Sequence, residues 1–343
     1  MPIARHSQTA QVAYHDLLSL LLDDAVSDMR GSPTPRSQGG RTYWYDRYRV
    51  GTTIRERYLG EDSTSLRQRI EKHEQLRQDD RQRRRERARL VGLLRSERFL
   101  GLDGKAGSLT TAFARAGVFR LGGTLVGTTA FRLYEGELGL RLAMDQTATA
   151  RDIDIASFEK LSLALDDAGS PPWADVFHDL AFTPMPTMEP GRTWRWRQGS
   201  GETFVEFLTP SFDEQEAVRD LPALGVGAQS LHHLNYLIAD PLDAAAIYRE
   251  GVLVRVPRPE RFAIHKLIVA DRRREGPDSP KSQKDLLQAQ ILIAMLSVDR
   301  PMDLAEAYED ARGRGPHWRK RLDRSLARAP AAARELETAG AYD

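Results

Sequence analysis

Two aspartates separated by a single residue stand in a short apolar segment, where Asp152 and Asp154 alternate with isoleucines. Side chains of a β-strand alternate between its two faces, so both aspartates would share one face while the isoleucines face a core. Neighbouring carboxylates repel each other unless a divalent cation neutralises them. The segment therefore predicts a metal-binding strand, although a solvated strand edge would carry the same pair harmlessly.

A third acidic residue, Glu206, lies in the strongly apolar segment Phe204-Val-Glu-Phe-Leu208. The apolar neighbours predict a buried central strand, on which a charge is costly unless it is paired or bound to a metal. A metal is one such partner. An ion pair with Arg195 or Arg197, from the strand predicted just before it, is the other, and both explanations stay open at this point.

A pair of glycines could hold a phosphate chain close to these acids. Residues 118–121 are predicted to form a strand and residues 125–133 a helix, with Gly122-Gly123-Thr124 between them. Backbone N–H groups at a helix start, together with the helix dipole, favour a polyphosphate, and glycines let it approach closely. Thr124 could cap the helix or donate its hydroxyl to a phosphate. The same pattern also occurs in ordinary tight turns, so the signal is weak on its own.

Together, a phosphate-binding turn, a strand with paired carboxylates and a later single carboxylate form the layout needed for two-metal transfer. One Mg²⁺ (or Mn²⁺) would bind and orient a nucleoside triphosphate. The other would lower the pKa of an attacking hydroxyl, and pyrophosphate would leave in line with the attack. Asp152, Asp154 and Glu206 are the predicted metal ligands and catalytic residues, and Gly122, Gly123 and Thr124 are predicted to bind the nucleotide.

The pattern of Gly122-Gly123-Thr124, Asp152-Ile153-Asp154 and Glu206 resembles the DNA polymerase β-like nucleotidyltransferase superfamily. That superfamily pairs a Gly-Gly or Gly-Ser helix start with an Asp-x-Asp strand and a third acid. The resemblance covers roughly residues 105–210. It implies that the two aspartates bind both metals and that Glu206 completes the site around the acceptor hydroxyl. The chain departs from the superfamily in its long gap before the aspartates, in Arg151 where a serine is common, and in a glutamate as third acid.

Further segments resemble a bacterial family of poorly characterised nucleotidyltransferase-fold proteins, namely a Tyr-Trp-Tyr hairpin with Tyr58-Leu59-Gly60, residues 205–210 and residues 259–267. The last segment is also distantly similar to nucleotidyltransferase toxins of abortive-infection systems, in which a helical lysine and a later Lys-Asp pair support the nucleotide. This resemblance implies nucleotide-binding roles for Lys266 and Lys284, and a toxin–antitoxin or defence role rests on that analogy alone. The Lys266 ammonium could equally reach solvent, and a solvated helix face is the favoured explanation for Lys284.

The elements that would position these residues follow from apolar periodicity and turn residues. Predicted helices are 9–30, 63–98, 108–116, 125–133 and 158–168, with a helical region at 259–336; predicted strands are 118–121, 138–142, 152–155, 193–197 and 203–208, with hairpins at 41–59 and 248–256; residues 31–40 are predicted as a linker and 213–229 as a loop. The helix at 63–98 is heavily charged, and we expect it to project as an arm before docking at its C-terminal end.

Bulk composition narrows the class of protein. The 343 residues suffice for two domains or for one large domain with appendages. There is no cysteine, which excludes disulfides, zinc ribbons and thiol catalysis. The 50 basic and 49 acidic residues leave a net charge of +1. The apolar run Leu17–Leu22 is too short, and too acidic at its edges, for a signal peptide or a membrane span, so we expect a cytoplasmic protein.

Some basic and aromatic segments could contact nucleic acid. Residues 194–197 alternate tryptophan with arginine, as a base-stacking platform would, but a half-buried strand is the favoured interpretation. The run Arg81–Arg89 and the tyrosine- and arginine-rich hairpin at 43–59 could engage phosphates, although interleaved acids suit a solvated helix at least as well. His232-His233 has no partner at metal-ligand spacing and is predicted to be structural, and His265 is only a candidate neighbour of the site.

The sequence therefore predicts a mixed α/β (α+β) protein with a polymerase β-like core. Residues 1–104 are predicted as a helical module with a hairpin and a charged arm, 105–215 as the nucleotidyltransferase core with a mixed sheet, and 216–343 as a mainly helical domain. The predicted activity is an EC 2.7.7-type transfer of a nucleoside monophosphate from an NTP to an acceptor hydroxyl, with an RNA or tRNA 3′ end as the expected acceptor and no membrane partner. Two alternatives stay open: an inactive protein of this fold that binds nucleic acid or a protein partner, and phosphohydrolysis by the same acids.

Overall fold

A computed structural model of the chain describes residues 4–25, 29, 31–50, 53–142, 152–158, 177–178, 180–187, 192–199, 203–212, 215–275 and 278–340. The helices, numbered within these ranges, are α1 Gln8–Ala25, α2 Thr64–Gln78, α3 Asp80–Ser96, α4 Gly104–Ala116, α5 Gly127–Glu137, the single turn α6 Leu234–Leu237, α7 Pro259–Arg272, α8 Ser279–Asp299, α9 Pro301–Gly313, α10 Pro316–Ala327 and α11 Pro330–Thr338. The strands are β1 Ser32–Gln38, β2 Arg41–Val50, β3 Thr53–Glu61, β4 Thr124–Val126, β5 Asp152–Ala156, β6 Phe182–Pro184, β7 Arg195–Gln198, β8 Phe204–Pro210, β9 Val218–Leu221, β10 Val226–Leu231, β11 Leu242–Ala246 and β12 Val252–Val256. The predicted mixed α/β class is confirmed.

The largest sheet is mixed and carries the predicted acids near its middle. Its strand order is β4-β5-β8-β10-β9, with β7 pairing to β8 and β6 to β7. Strand β5 runs parallel to β8, and β8 runs parallel to β10, while β4, β7 and β9 pair antiparallel to their neighbours. Strands β1, β2 and β3 form a separate antiparallel sheet, and β11 pairs with β12.

One hydrophobic core joins the large sheet to the C-terminal helices. Its buried residues run along the chain from Leu102 to Leu336. Helix α5 is fixed to α7 by aromatic contacts, with the Tyr134 and Phe262 ring centroids 5.2 Å apart. The Tyr134 hydroxyl also donates to the Pro257 carbonyl at 2.8 Å. Helix α5 is therefore anchored to the C-terminal part of the chain, while the division at residue 215 stays a prediction.

The predicted charged arm is not one helix, and it docks along its length. The helical region breaks at Asp79 into α2 and α3. Helix α3 packs against α1 through a second core cluster that includes Leu90 and Leu94. Arg83 and Arg87 form ion pairs with Asp24 of α1. These two arginines of the basic run thus hold α3 against α1.

Several predicted elements differ from the structure. The predicted linker at 31–40 contains β1, which pairs with β2 at the edge of the sheet that the described residues form and so tolerates its two prolines. The predicted loop at 213–229 contains β9 and the start of β10, and the predicted strand at 138–142 contributes only an isolated bridge between Leu140 and Arg5. The predicted helix at 158–168 lies outside the described residues beyond Phe158. No helix in the described ranges is both long enough and apolar enough to cross a bilayer.

Candidate active site

The parallel pairing of β5 with β8 sets two of the predicted acids side by side. Asp154 and Glu206 are direct partners in the register, as are Ile153 and Val205. Neighbouring strands lie about 4.8 Å apart, and paired residues project from the same face. Ile153 and Val205 are buried on the opposite face, so the two carboxylates share the face turned away from the core. The predicted convergence of acids from distant segments is therefore present for this pair.

The backbone of β5 also places Asp152 on this face. Asp152 is the register partner of Phe204 and stands two residues before Asp154, so the backbone places both residues on the same face of β5. The side chain of Asp152 lies outside the described set. Its role as a metal ligand stays a prediction.

A helix begins beside the Asp154 carboxylate. Val126 at the end of β4 is the register partner of Asp154, and the next residue, Gly127, opens α5 with a positive φ of 66°. A methyl group built on Gly127 would clash with Asp154 Oδ2, so glycine leaves the space that the carboxylate occupies. The N-cap residue, Val126, makes no side-chain hydrogen bond to this helix start. Its first N–H groups and the helix dipole thus favour an anion next to the two acids.

The predicted phosphate-binding turn at Gly122-Gly123-Thr124 was wrong in its local structure. Residues 118–122 form a turn, not a strand, and Thr124 begins β4 rather than a helix. Gly123 is explained by close packing, because a methyl group there would collide with Val118. The turn from strand to helix lies four residues later, at Gly127-Thr128. Sequence reasoning missed it, although an apolar run ending in Gly-Thr-Thr is itself a helix-start signal.

Arg195 makes the ion pair that was the alternative explanation for Glu206. The two are register partners on β7 and β8, with Arg195 Nε 2.9 Å from Glu206 Oε1. The Arg195 guanidinium also lies over the Phe204 ring, 4.3 Å from its centroid. Nε makes no aligned hydrogen bond within the described residues, so the interaction is electrostatic. A carboxylate has two oxygens, and the ion pair with Arg195 is compatible with a second ligand.

The alternating Trp-Arg segment is a half-buried strand, as favoured, and not an open stacking platform. The Trp196 ring stacks on the buried Phe177 ring, with centroids 4.3 Å apart and planes 15° from parallel. Trp196 therefore belongs to the core face of the sheet. Arg195, two strands away from Asp154, projects on the acidic face instead.

Lys266 is buried in the C-terminal helices and has an acidic partner there. Its Nζ donates to Asp285 Oδ1, and the other oxygen of Asp285 accepts from Arg273 Nη1 at 2.8 Å. This pairing supplies a structural role for the lysine without a nucleotide. Lys284 lies half-buried on α8 beside Asp285. The predicted nucleotide-binding roles of both lysines stay predictions.

The donor chemistry of the acidic face fits a magnesium ion. Asp154 and Glu206 supply hard carboxylate oxygens, which Mg²⁺ prefers, and it commonly binds one or two carboxylates together with substrate phosphates. Among the described side chains, no cluster of three His, Cys, Asp or Glu is arranged around a metal position. Two carboxylates beside a helix start are the part of such a site that the described residues supply.

Comparison with known proteins agrees with this geometry. A family model described as a nucleotidyltransferase matches residues 104–313, and another, described as a domain of unknown function (DUF6788), matches residues 12–68. No curated protein matches the chain significantly. The first match covers more than half of the chain and includes Gly127, Asp154 and Glu206.

Proposed function

The chain belongs to the nucleotidyltransferase family, and we propose that it transfers a nucleoside monophosphate from an NTP to an acceptor hydroxyl, releasing pyrophosphate. The observation that carries this proposal is the register pairing of Asp154 with Glu206 directly beside the start of α5. It brings together the two kinds of group that the reaction needs. Carboxylates would hold a divalent cation, and helix N–H groups would hold phosphate oxygens.

Each group has a separate task in this scheme. The Gly127-Thr128 turn would bind the triphosphate through backbone N–H groups at the start of α5, where Gly127 already makes room for the Asp154 carboxylate. Asp152 and Asp154, with Glu206, would hold Mg²⁺, which when bound stabilises charge on the phosphates and on the attacking oxygen. Glu206 lies on the strand farther from the helix start, and we assign it to the acceptor side. Arg195 holds that carboxylate in position through their ion pair.

The proposed transfer exchanges one phosphorus–oxygen bond for another. The acceptor oxygen forms a bond to the α-phosphorus, and the bond from the α-phosphorus to the bridging oxygen breaks. Pyrophosphate leaves with the electron pair. The acceptor proton passes to the Glu206 carboxylate and then to solvent. An RNA 3′ hydroxyl is the acceptor we propose first, and a protein side chain or a small molecule would use the same chemistry.

The experiment follows nucleotide incorporation. The protein is incubated with each radiolabelled NTP, Mg²⁺ and total RNA, and Asp154→Asn and Glu206→Gln are compared with wild type. We expect incorporation that both substitutions abolish. Asp243→Asn is the matched control, because Asp243 is an exposed carboxylate on β11, on another sheet. Absence of incorporation with every NTP and acceptor, under conditions where the protein binds NTP, would reject the transfer reaction.

One observation favours the inactive alternative. The Arg195–Glu206 ion pair satisfies one oxygen of the third acid without any metal. If the acids are purely structural, Glu206→Gln should destabilise the fold and leave RNA or NTP binding unchanged. Phosphohydrolysis by the same acids would be distinguished from transfer by its products, because it would release inorganic phosphate or NMP without any acceptor.

A further inference from the structure

Charge is unevenly divided along the chain, which the small net charge conceals. Residues 30–98 hold 19 Lys and Arg against 10 Asp and Glu, whereas the rest of the chain holds 31 against 39. All but one of these 19 basic residues are arginines. Arginine is the side chain best suited to phosphate recognition and to stacking on planar groups. This segment of the N-terminal module, residues 30–98, is therefore strongly basic, whereas the rest of the chain is acidic in sum.

One face of the β1-β2-β3 sheet in this module is already covered. Trp44 packs with Leu59 against Met29, Leu66 and Ile70, the last two on α2. The Trp44 Nε1 donates to Asp62 Oδ1 at 3.0 Å. Asp46, on the same face, is fully buried. This side of the sheet has no room for a partner.

The opposite face displays a cluster of three tyrosines. Tyr43 and Tyr45 stand two residues apart on β2, and Tyr58 is the register partner of Tyr45 on β3. The Tyr58 ring centroid lies 5.5 Å from that of Tyr45 and 6.3 Å from that of Tyr43. Tyr58 is 55% exposed. None of the three hydroxyls has a hydrogen-bond partner among the described residues, and we call this cluster the tyrosine face.

Arginines surround the tyrosine face. The Arg36 guanidinium lies over the Tyr45 ring, 5.2 Å from its centroid. Arg36 and Arg47 share the acid Glu56, and Arg41 lies 3.6 Å from Glu61. These ion pairs are solvent-exposed, and exposed pairs contribute little, so the arginines can turn to another anion at small cost.

A shallow, open depression lies on this face. Its volume is about 530 Å³, and it is lined by Gln38, Gly39, Arg41, Tyr43, Tyr45 and Tyr58. Aromatic rings beside guanidinium groups are the combination that binds unpaired bases and their phosphates. Duplex nucleic acid offers no exposed base faces to such rings. A second copy of this chain does not fit this face, because it would bring the same positive charge.

We infer that the tyrosine face binds single-stranded nucleic acid, with bases stacked on Tyr43 and Tyr58 and phosphates held by Arg36 and Arg41. This surface lies within the segment matched by the domain of unknown function. Binding there needs neither metal nor triphosphate, so the inference does not depend on the proposed transfer reaction.

The test measures binding of the full-length protein to fluorescein-labelled oligonucleotides by anisotropy, in EDTA and without NTP. The probes are a short single strand as RNA, the same strand as DNA, and its duplex. We expect either single strand, or both, to bind more tightly than the duplex. Tyr43→Ala and Tyr58→Ala should each weaken binding at least about fivefold, since a stacked ring is worth that much or more. Tyr58→Phe, which keeps the ring, should bind within about twofold of wild type.

Two further variants separate stacking from charge. Arg36→Gln and Arg41→Gln should each reduce the slope of log Kd against log salt by about 0.7, the value for one phosphate contact of a single strand. Met302→Ala is the control, because Met302 is 82% exposed on α9, outside the N-terminal module. Folding of each variant is checked by its melting temperature.

Two outcomes would overturn the inference. One is single-strand affinity that stays within about twofold of wild type when both Tyr43 and Tyr58 are alanine. The other is binding to the duplex alone, or to no probe below about 100 μM at low salt. Should an alanine variant fail to fold, the two arginine variants still decide, because a salt slope unchanged in both would overturn the inference.

Discussion

Gly127 offers the sharpest test of the site, because a single methyl group there should disturb a carboxylate more than the fold. The backbone has φ of 66°, a left-handed conformation that costs an alanine about 1–2 kcal/mol. Lower entropy of the unfolded chain offsets about 0.4–1 kcal/mol of that cost. We therefore expect Gly127→Ala to lower the free energy of unfolding by only about 1 kcal/mol.

The effect on activity should be much larger. The new methyl group would lie well inside the 3.0 Å that real Cβ contacts respect, with Asp154 Oδ2 as the clashing atom. That oxygen is at the end of a side chain, so it can retreat by on the order of 1 Å to ordinary contact distance at little cost. Metal ligands tolerate only about 0.2 Å, and a misplacement of about 1 Å can cost 10²-fold in rate. We expect NMP transfer to fall about 10²-fold.

Gly225→Ala is the matched control for the cost of placing an alanine at a positive φ. Its φ is 62°, and a methyl group there would meet no atom within 4 Å. Gly225→Ala should therefore show the same loss of stability by urea unfolding, with NMP transfer unchanged. If both variants transfer NMP at rates within about threefold of each other, Asp154 does not act at the reaction centre and the proposed site is wrong.

Three further predictions concern polar groups that are buried or half-buried. Tyr14→Phe removes the hydroxyl that accepts a hydrogen bond from the Ala245 N–H at 3.1 Å. The free energy of unfolding, measured in urea, should fall by about 1–3 kcal/mol. An unchanged value would show that water or a shifted strand replaces the bond. Lys266→Met should lower the free energy of unfolding by about 3–5 kcal/mol, because it leaves the Asp285 carboxylate without the lysine. The double variant Lys266→Met/Asp285→Leu should recover much of that loss. A loss of NTP affinity at unchanged stability would instead support the nucleotide-binding role of Lys266. Burial lowers the pKa of His233 to about 4 from 6.5, with help from the Arg272 and Arg321 charges, so the folded protein keeps this ring neutral while the unfolded chain takes up a proton. The free energy of unfolding should thus fall as pH drops from about 6.5 towards 4, less steeply in His233→Gln, and an equal slope in both proteins would contradict the assignment.

The strands of the site were predictable because their pattern is local. Alternation of acids with isoleucines, and of Glu206 with buried valine and phenylalanine, fixes which face each side chain takes. Those faces agree with the structure for Asp154 and Glu206. What periodicity could not give is the pairing of β5 with β8, since register depends on contacts between distant segments.

The helix start was misplaced for a physical reason. Gly122 and Gly123 have the composition of a phosphate-binding turn, but backbone strain and packing against Val118 also require small residues, and sequence does not separate these causes. The lysine assignment has the same weakness. A lysine on an apolar helix indicates a buried amine but not its partner, which here is Asp285, 19 residues along the chain.

Parallel pairing of β5 with β8 also decides when a folding chain can become active. A slip of β8 by one residue would turn Glu206 into the apolar interior and Phe207 outward, so wrong registers are penalised by a buried charge. The loop that closes when these strands meet is long, and such contacts form late because chain entropy opposes them. Regain of transferase activity after dilution from denaturant should therefore lag behind the helical circular dichroism signal. The length of that lag would report how long the pairing of β5 with β8 takes.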